Sequence, residues 1–350
     1  MIANQGQLPL LDAPSPDAGL PVLDERAGRG ATFHEVPVKA ILNSPATTGM
    51  GFWSLNPYVG CEFGCTYCYA RETHRWRMER VGSDGKAVGS PSWLAFEKQI
   101  LVKTTAAAVL RRTLFPAKLA GASLVIGTAT DPYQPAERQF RLTRSILEAL
   151  LGWRGLSLGI ITKSPLILRD LDLLQGLAER HELSVNISIA SVDGELLRRI
   201  EARSPAPHTR LRALKGLVEG GIHAGLLIAP IIPGITDSRD ALAALMAAGK
   251  TAGARYAVGS PLRLGPAARA RFLPHLAQEF PELVERYQLR FGHRESPGQD
   301  YIDALNRRLH SLQREYGFPV DTGMDGRRKR QGYAPRHPVI PASAEQWKLL

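Results

Sequence analysis

Cysteine is scarce in this sequence: there are three in 350 residues, and all of them, Cys61, Cys65 and Cys68, fall in the stretch Asn56–Arg71, NPYVGCEFGCTYCYAR. An odd number of thiols crowded into one loop cannot staple distant parts of a secreted fold, which excludes a disulfide framework. No uncharged apolar run reaches the roughly 18 residues that a membrane helix needs. The opening, MIANQGQLPLLDAPSPDAGLP, also lacks the basic-then-apolar order of a secretory signal. These absences predict a cytoplasmic protein whose thiols stay reduced and available to metal. Acidic residues are outnumbered, 33 against 44 Lys and Arg, giving a formal net charge of +11. Such a surface attracts polyanions. The segment Gly326–Pro338, GRRKRQGYAPRHP, carries four successive cations, Arg327 to Arg330, and reads either as a solvated basic tail or as a nucleic-acid contact.

With 44% hydrophobic and 22% charged residues the chain is able to bury a full core. Residues 1–30, rich in Pro, Gly and Asp without a sustained period, read as a disordered leader. Gly28–Asn43 reads as an approach segment, and GFWSLNPY before the cysteines as a short strand. Five further runs read as buried strands: SLVIGTAT (Ser123–Thr130), LSLGIITKS (Leu156–Ser164), LSVNISIAS (Leu183–Ser191), IHAGLLIAPIIPG (Ile222–Gly234) and ARYAVGSPL (Ala254–Leu262). Between them, Pro135–Gly152, Pro165–His181 and His208–Gly221 carry apolar residues at three-to-four spacing, the mark of amphipathic helices.

Strand, helix and strand in repetition imply a parallel sheet with right-handed crossovers. Six units are too few for a closed eight-fold barrel and predict an α/β fold of the partial (β/α)6 barrel type, with an open doubly wound sheet as the rival. The expected organisation is a leader over 1–30, a core domain over 31–265, and a helical cap with a basic tail over 266–350. Ligands of such sheets lie in the loops at the carboxyl ends of the strands. The cysteines hold that position in the first unit, followed by TATDPYQP, TKS, SIASVD and APIIPGITD in the next four.

Cys61-x3-Cys65-x2-Cys68 offers three soft ligands, suited to zinc, copper(I) or iron–sulfur clusters. Structural zinc needs a fourth ligand, for which His74 is the nearest candidate, but the paired CxxC of zinc ribbons is missing. Glu62, Gly64 and Thr66 leave a loop able to wrap a bulkier object. An ordinary four-cysteine cluster is excluded within one chain by the count. Three thiolates on a cubane leave one iron without a protein ligand, and an open coordination position is what makes a metal centre catalytic.

CxxxCxxC with an aromatic, Tyr67, before its last cysteine resembles the signature of the radical S-adenosylmethionine superfamily. NPYVGCEFGCTYCYAR and GTATDPYQPAE further resemble the spore photoproduct lyase-like, or DNA repair photolyase-like, branch from about Lys39 to Leu262. The resemblance implies an enzyme with a [4Fe–4S] cluster that chelates S-adenosylmethionine and cleaves it reductively to a 5′-deoxyadenosyl radical for hydrogen abstraction. It also implies an external flavodoxin- or ferredoxin-like electron donor and leaves DNA or another nucleic acid as the candidate substrate. Cys61, Cys65 and Cys68 match the cluster ligands, and Tyr67 the aromatic near the adenine. Thr130 and Asp131 lie where the methionine amino group is contacted. Lys163 and Ser188 fall where the lyase relatives contact the carboxylate and ribose, and Ile232 within Ile231–Gly234, where the superfamily places an apolar contact to the adenine.

Each has a structural counterpart. Asp131 before Pro132 can initiate a turn, Lys163 can be a solvated strand end, and Ser188 can satisfy the sheet edge. Arg203 reaches a carboxylate or phosphate, or is a surface arginine. Tyr58 and Tyr69 are expected to pack the back of the loop, and His74 and Trp76 to lie on the following helix. The sequence departs from the lyase at one point: that enzyme uses a further cysteine to return hydrogen, and none exists here, leaving the phenol of Tyr133 as a conjectural donor. The rival function is a nucleic-acid-binding protein with a structural zinc or cluster and no radical chemistry.

Overall fold

The computed structural model describes residues 30–73, 92–114, 119 and 122–320. Among them the strands are, in chain order, β1 Thr32–Val36, β2 Leu42–Asn43, β3 Trp53–Leu55, β4 Tyr58–Val59, β5 Gln99–Lys103, β6 Ser123–Ile126, β7 Ser157–Thr162, β8 Glu182–Ser188, β9 Ala224–Ile231 and β10 Ala257–Pro261. Six of these, β3, β6, β7, β8, β9 and β10, are parallel neighbours in the order of the chain, and β2 is antiparallel to β3 at one edge. The order never reverses. A doubly wound sheet changes direction at a switch point, whereas right-handed crossovers that always advance lay every helix on one face and leave the other to curl inward. The six expected units therefore form a partial (β/α)6 barrel.

The two faces of the strands differ in chemistry because side chains alternate. Along β8, Leu183, Val185 and Ile187 join the main core beneath the helices, while Ser184, Asn186 and Ser188 alternate onto the inner face. The same core takes Leu158 and Ile160 of β7, Leu226 and Ile228 of β9, and Leu147, Leu177, Leu214 and Met246 from the crossover helices. Full burial of such a side chain is worth about 1.5–3 kcal/mol, so this layer holds the barrel without help from metal. Gly225 on the inner face allows β9 to close on its neighbour; a Cβ there would lie 2.5 Å from the Tyr256 carbonyl oxygen.

Two expected helices are each divided. Pro135–Gly152 yields a short turn, Glu137–Phe140, and a helix, Leu142–Leu150, separated by Arg141 at φ 51°. The buried carboxylate of Glu137 accepts hydrogen bonds from Thr143 N at 3.0 Å and Arg144 N at 3.3 Å, capping the second helix where its first amide groups lack partners. Pro165–His181 begins as a 3-10 turn, Pro165–Asp170, before the helix Leu171–Arg180.

A second sheet, β1-β5-β4, pairs β1 with β5 in parallel and β4 with β5 antiparallel. It holds the chain entering the cysteine loop. Beyond β10, helices Pro266–Glu279, Val284–Phe291 and Gln299–Glu315 follow. The first two supply Phe272, Leu276, Tyr287 and Phe291 to a separate apolar cluster that also contains Cys61, Cys65 and Tyr67. His74, Trp76 and the basic run Arg327–Arg330 lie outside the described residues, as does the leader apart from Gly30. No described helix is long and apolar enough to cross a membrane.

Candidate cofactor site at the cysteine loop

The loop begins at Gly60, whose φ of 89° is a region that glycine enters without strain. A Cβ there would meet the Phe96 carbonyl oxygen at 2.9 Å. Neighbouring elements then hold the loop by its backbone. Cys61 N donates to Phe96 O at 2.9 Å, and both Thr66 N and Thr66 Oγ1 donate to Ile200 O at 3.1 Å. Glu62 N donates to Gln134 Oε1 at 2.9 Å. From the turn after β6, Thr130 Oγ1 donates to Gly60 O at 2.6 Å, and Gln134 Nε2 donates to the same oxygen at 3.3 Å. At the strand end below, Asn56 Oδ1 accepts from Ala129 N at 2.8 Å, locking the first two carboxyl-end loops together.

Cys61 and Cys65 are buried, Cys68 is half-buried, and all three are free thiols. Burial pushes every one of these thiols up. Cys65 is pushed up to about 11, with the Glu201 carboxylate adding to the rise and the Lys163 ammonium opposing it. Holding metal therefore requires positive charge to be brought to the loop, since thiolates are the ligands.

Facing the loop is a buried charged knot. Lys163 follows β7, and its Nζ donates to Ser188 Oγ at 3.0 Å, Glu201 Oε1 at 3.2 Å and Tyr67 Oη at 3.3 Å. Tyr67 Oη itself donates to Glu201 Oε1, and Arg210 Nη2 to Glu201 Oε2. Arg210 also donates to Ser188 O at 3.0 Å and Pro205 O at 2.6 Å. Burial alone would raise the Glu201 carboxyl, but Arg210 and Lys163 hold it down to about 2. Two cations against one carboxylate leave a surplus positive charge. Lys163 is the most exposed of the three.

Tyr67 and Ser188, predicted from separate stretches of sequence, are thus both in contact with the predicted Lys163. Asp131 joins two loops: its Oδ1 accepts from Thr162 Oγ1 at 2.7 Å and Tyr133 N at 2.9 Å, and its Oδ2 from Lys163 N at 2.7 Å. Burial raises its carboxyl despite these bonds. Ile232 is fully buried in the apolar cluster shared with the cysteines, its N–H donating to Thr236 Oγ1 at 2.8 Å. The guanidinium of Arg203 bonds Glu62 O at 2.7 Å and the Glu97 carboxylate. Tyr133 belongs to the main core under the helices, a different cluster from the one containing the cysteines. Tyr58 is buried with its hydroxyl donating to Glu137 Oε2 at 2.5 Å, while Tyr69 remains 43% exposed beside the loop.

Sequence reasoning overlooked Glu201, Arg210, Gln134 and Glu97. Glu201 stands two positions before the Arg203 that drew attention in EARSPAP. Its signal, an acidic residue at a helix end, is common to solvated surfaces. Among the described residues no three His, Cys, Asp or Glu side chains gather closely enough to hold a single metal ion.

A family model described as Radical SAM superfamily matches residues 55–246. An uncharacterized protein of Mycobacterium tuberculosis is 35% identical over 294 residues, 83% of this chain and 83% of its own length. Another, of Methanocaldococcus jannaschii, is 34% identical over 183 residues, 52% of this chain and 61% of its own. Among solved structures, a cysteine-to-serine mutant of spore photoproduct lyase superposes with a TM-score of 0.56 at 15% identity, covering 83% of this chain and 81% of that one. A further mutant of that lyase, with bound AdoMet and dinucleoside spore photoproduct, gives a TM-score of 0.52 over 83% and 80% of the two chains, also at 15% identity. At that identity the likeness is one of fold.

Proposed function

The chain belongs to the radical SAM superfamily, and from that premise we propose that Cys61, Cys65 and Cys68 hold a [4Fe–4S] cluster at which S-adenosylmethionine binds. The observation that carries this reading is the convergence of three free thiols, on a loop braced by Phe96, Ile200 and the turn after β6, with Tyr67, Lys163 and Ser188. The donor set fits the group. It is all sulfur and three in number, one fewer than the four protein ligands of a structural zinc site. When bound, the cluster and S-adenosylmethionine supply a one-electron reductive cleavage of the sulfonium, the electron arriving from an external flavodoxin- or ferredoxin-like donor.

The chain's own residues bind and orient. The Lys163 ammonium, backed by surplus charge from Arg210, is placed to receive the methionine carboxylate, and Ser188 Oγ beside it the ribose. Tyr67 is held by Glu201 so that its ring forms a fixed wall, and Ile232 contributes an apolar one. Thr130, Asp131 and Arg203 act as braces, because their polar atoms are engaged by the loops they join.

A nucleic-acid substrate is supported by the +11 charge and by the fold shared with a lyase whose solved structure contains a dinucleoside photoproduct. The hydrogen-returning step cannot use a thiol outside the loop, since the chain has none. The deciding experiment is anaerobic reconstitution followed by dithionite and S-adenosylmethionine, with and without lesion-bearing oligonucleotides. Production of 5′-deoxyadenosine, increased by the correct substrate, supports the reading. A metal-loaded protein that never cleaves S-adenosylmethionine selects a structural metal site in a nucleic-acid-binding protein.

Lys163→Ala is expected to weaken S-adenosylmethionine binding about tenfold or more, because a hydrogen bond to a charged group contributes ~1.5–3 kcal/mol. Equilibrium dialysis against the reconstituted variant measures it, and an unchanged Kd removes Lys163 from the site.

A further inference from the structure

The loop after β9, which carries Ile232, is held by the helices that follow β10. Tyr287, on helix Val284–Phe291, is buried, and its Oη donates to Pro233 O at 2.8 Å. Tyr301, on helix Gln299–Glu315, donates its Oη to Asp237 Oδ2 at 2.8 Å, and Arg308 Nη1 of the same helix donates to Asp237 O. The Asp237 carboxylate closes the loop in turn, its Oδ1 accepting from Gly234 N at 2.8 Å. Burial pushes both phenols up, so both remain protonated donors at neutral pH.

These ties follow Ile232 closely along a tight turn. Ile232 N already donates to Thr236 Oγ1, and Ile235 N and Thr236 N both donate to Ile232 O at 3.0 Å. From beyond β10, Leu262 N donates to Ile231 O at 2.9 Å. The two helices are themselves fixed where they hold the loop. The Tyr287 ring stacks on Phe291 with centroids 5.3 Å apart and meets Phe272 at 5.7 Å, and the Arg290 guanidinium lies 4.6 Å over the Tyr301 ring, joining one helix to the other. Ile232, Leu283 and Tyr287 belong to the apolar cluster that also contains Cys61 and Cys65.

A loop that must present a fixed wall loses affinity for its ligand in proportion to the time it spends elsewhere, and bonds that fix it beforehand remove that loss. On the functional reading above, on which this inference rests, Ile232 is the apolar wall for the adenine, while Lys163, at the end of β7, receives the methionine carboxylate. Ties at Pro233 and Asp237 therefore bear on one end of S-adenosylmethionine and not on the other.

We propose that Tyr287 and Tyr301, carried by the helices beyond β10, preorganise the loop Ile231–Asp237 as the adenosine side of the S-adenosylmethionine site. The segment after the barrel is then a working part of cofactor recognition. Both tyrosines are positioning residues and act through the loop they hold.

The test is equilibrium dialysis of the reconstituted full chain against labelled S-adenosylmethionine and, separately, labelled methionine, which keeps the amino and carboxylate groups and lacks the adenosine. Tyr287→Phe and Tyr301→Phe each remove one hydroxyl. Each is expected to weaken S-adenosylmethionine binding about threefold to tenfold, the size of one ordinary hydrogen bond, with methionine binding and iron content unchanged. Lys250→Ala is the comparison. Lys250 Nζ donates to Gly317 O at 3.0 Å and so ties helix Arg239–Thr251 to the same C-terminal segment, at the end of that helix remote from the loop. This variant should bind S-adenosylmethionine as wild type does. Where Tyr287→Phe does not load, Tyr301→Phe decides. Full S-adenosylmethionine affinity in the phenylalanine variants, methionine binding weakened to the same degree, or an equal loss in Lys250→Ala overturns the proposal. A loaded wild type that binds no S-adenosylmethionine overturns the proposed function itself, whereas a binding wild type with unmoved variants overturns only this inference.

Discussion

Cys65→Ala is expected to abolish retention of the iron–sulfur cluster while leaving the chain folded. Cys65 lies between the other two cysteines on a loop whose backbone is fixed by Phe96, Ile200 and Gln134, so the loop resists the shift that would bring another thiol into its place. Losing a direct ligand should exceed the roughly 10–100-fold effect that follows loss of an outer partner of a metal site. The main core of β6 to β10 and the crossover helices contains none of the three cysteines. Circular dichroism and the unfolding midpoint of the metal-free variant should therefore match those of metal-free wild type within about 1 kcal/mol, a modest value for a small buried side chain. Full iron content in the variant would displace Cys65 from the ligand set. A failure to fold would mean that the loop supports the barrel and not the reverse.

Glu201→Gln is the second large effect, and it should appear in stability. The Glu201 carboxylate is buried with Arg210 at 1% and Lys163 at 14% side-chain exposure. Removing one partner of such a group leaves uncompensated buried charge, a destabilisation of about 3–5 kcal/mol. The carboxyl is held at about 2 against an ordinary 4.5. A depressed acid contributes stability that is complete above the unfolded value and is lost as pH falls through the folded one. The gap between wild type and variant should thus be full at neutral pH, begin to close near pH 4.5 and be largely gone near pH 2. Urea midpoints across that range measure it. Equal stability at pH 7, or a gap that does not change down to pH 2, would contradict the assignment of Glu201 as the ionised centre of the knot. Because Lys163 loses its anchor, the variant should also bind S-adenosylmethionine more weakly than wild type.

The barrel was legible because most of its strands, β7 and β8 above all, are buried on both faces and so stand out as short apolar runs, such as LSVNISIAS, each followed by a polar or Gly/Pro-rich loop. The small sheet was not. Its strand β4 spans two residues, and β5, QILVK, pairs with the distant β1, Thr32 standing opposite Gln99, a partnership that local pattern cannot reveal. The break at Arg141 was hidden for a related reason, since the cap is the side chain of Glu137, a residue that reads as an ordinary helix former. At the site, topology drew attention to the carboxyl-end loops TKS and SIASVD, and the resemblance to a known superfamily singled out Lys163 and Ser188 within them and Tyr67 in the cysteine loop. Glu201, Arg210 and Glu97 act by long-range pairing, and burial of charge leaves no mark on composition. Arg203 shows the limit clearly: its reach was readable, but its partners, Glu62 O and Glu97, depend on how distant segments fold together.

The central claim is that three thiolates leave one iron of a cubane free for S-adenosylmethionine. It is tested most directly by electron paramagnetic resonance of the anaerobically reconstituted, dithionite-reduced protein before and after addition of S-adenosylmethionine, with about four irons and four sulfides expected per chain. The account predicts a reduced-cluster signal that changes shape when S-adenosylmethionine is added. A colourless zinc-loaded protein, or a cluster whose signal ignores S-adenosylmethionine, would contradict it.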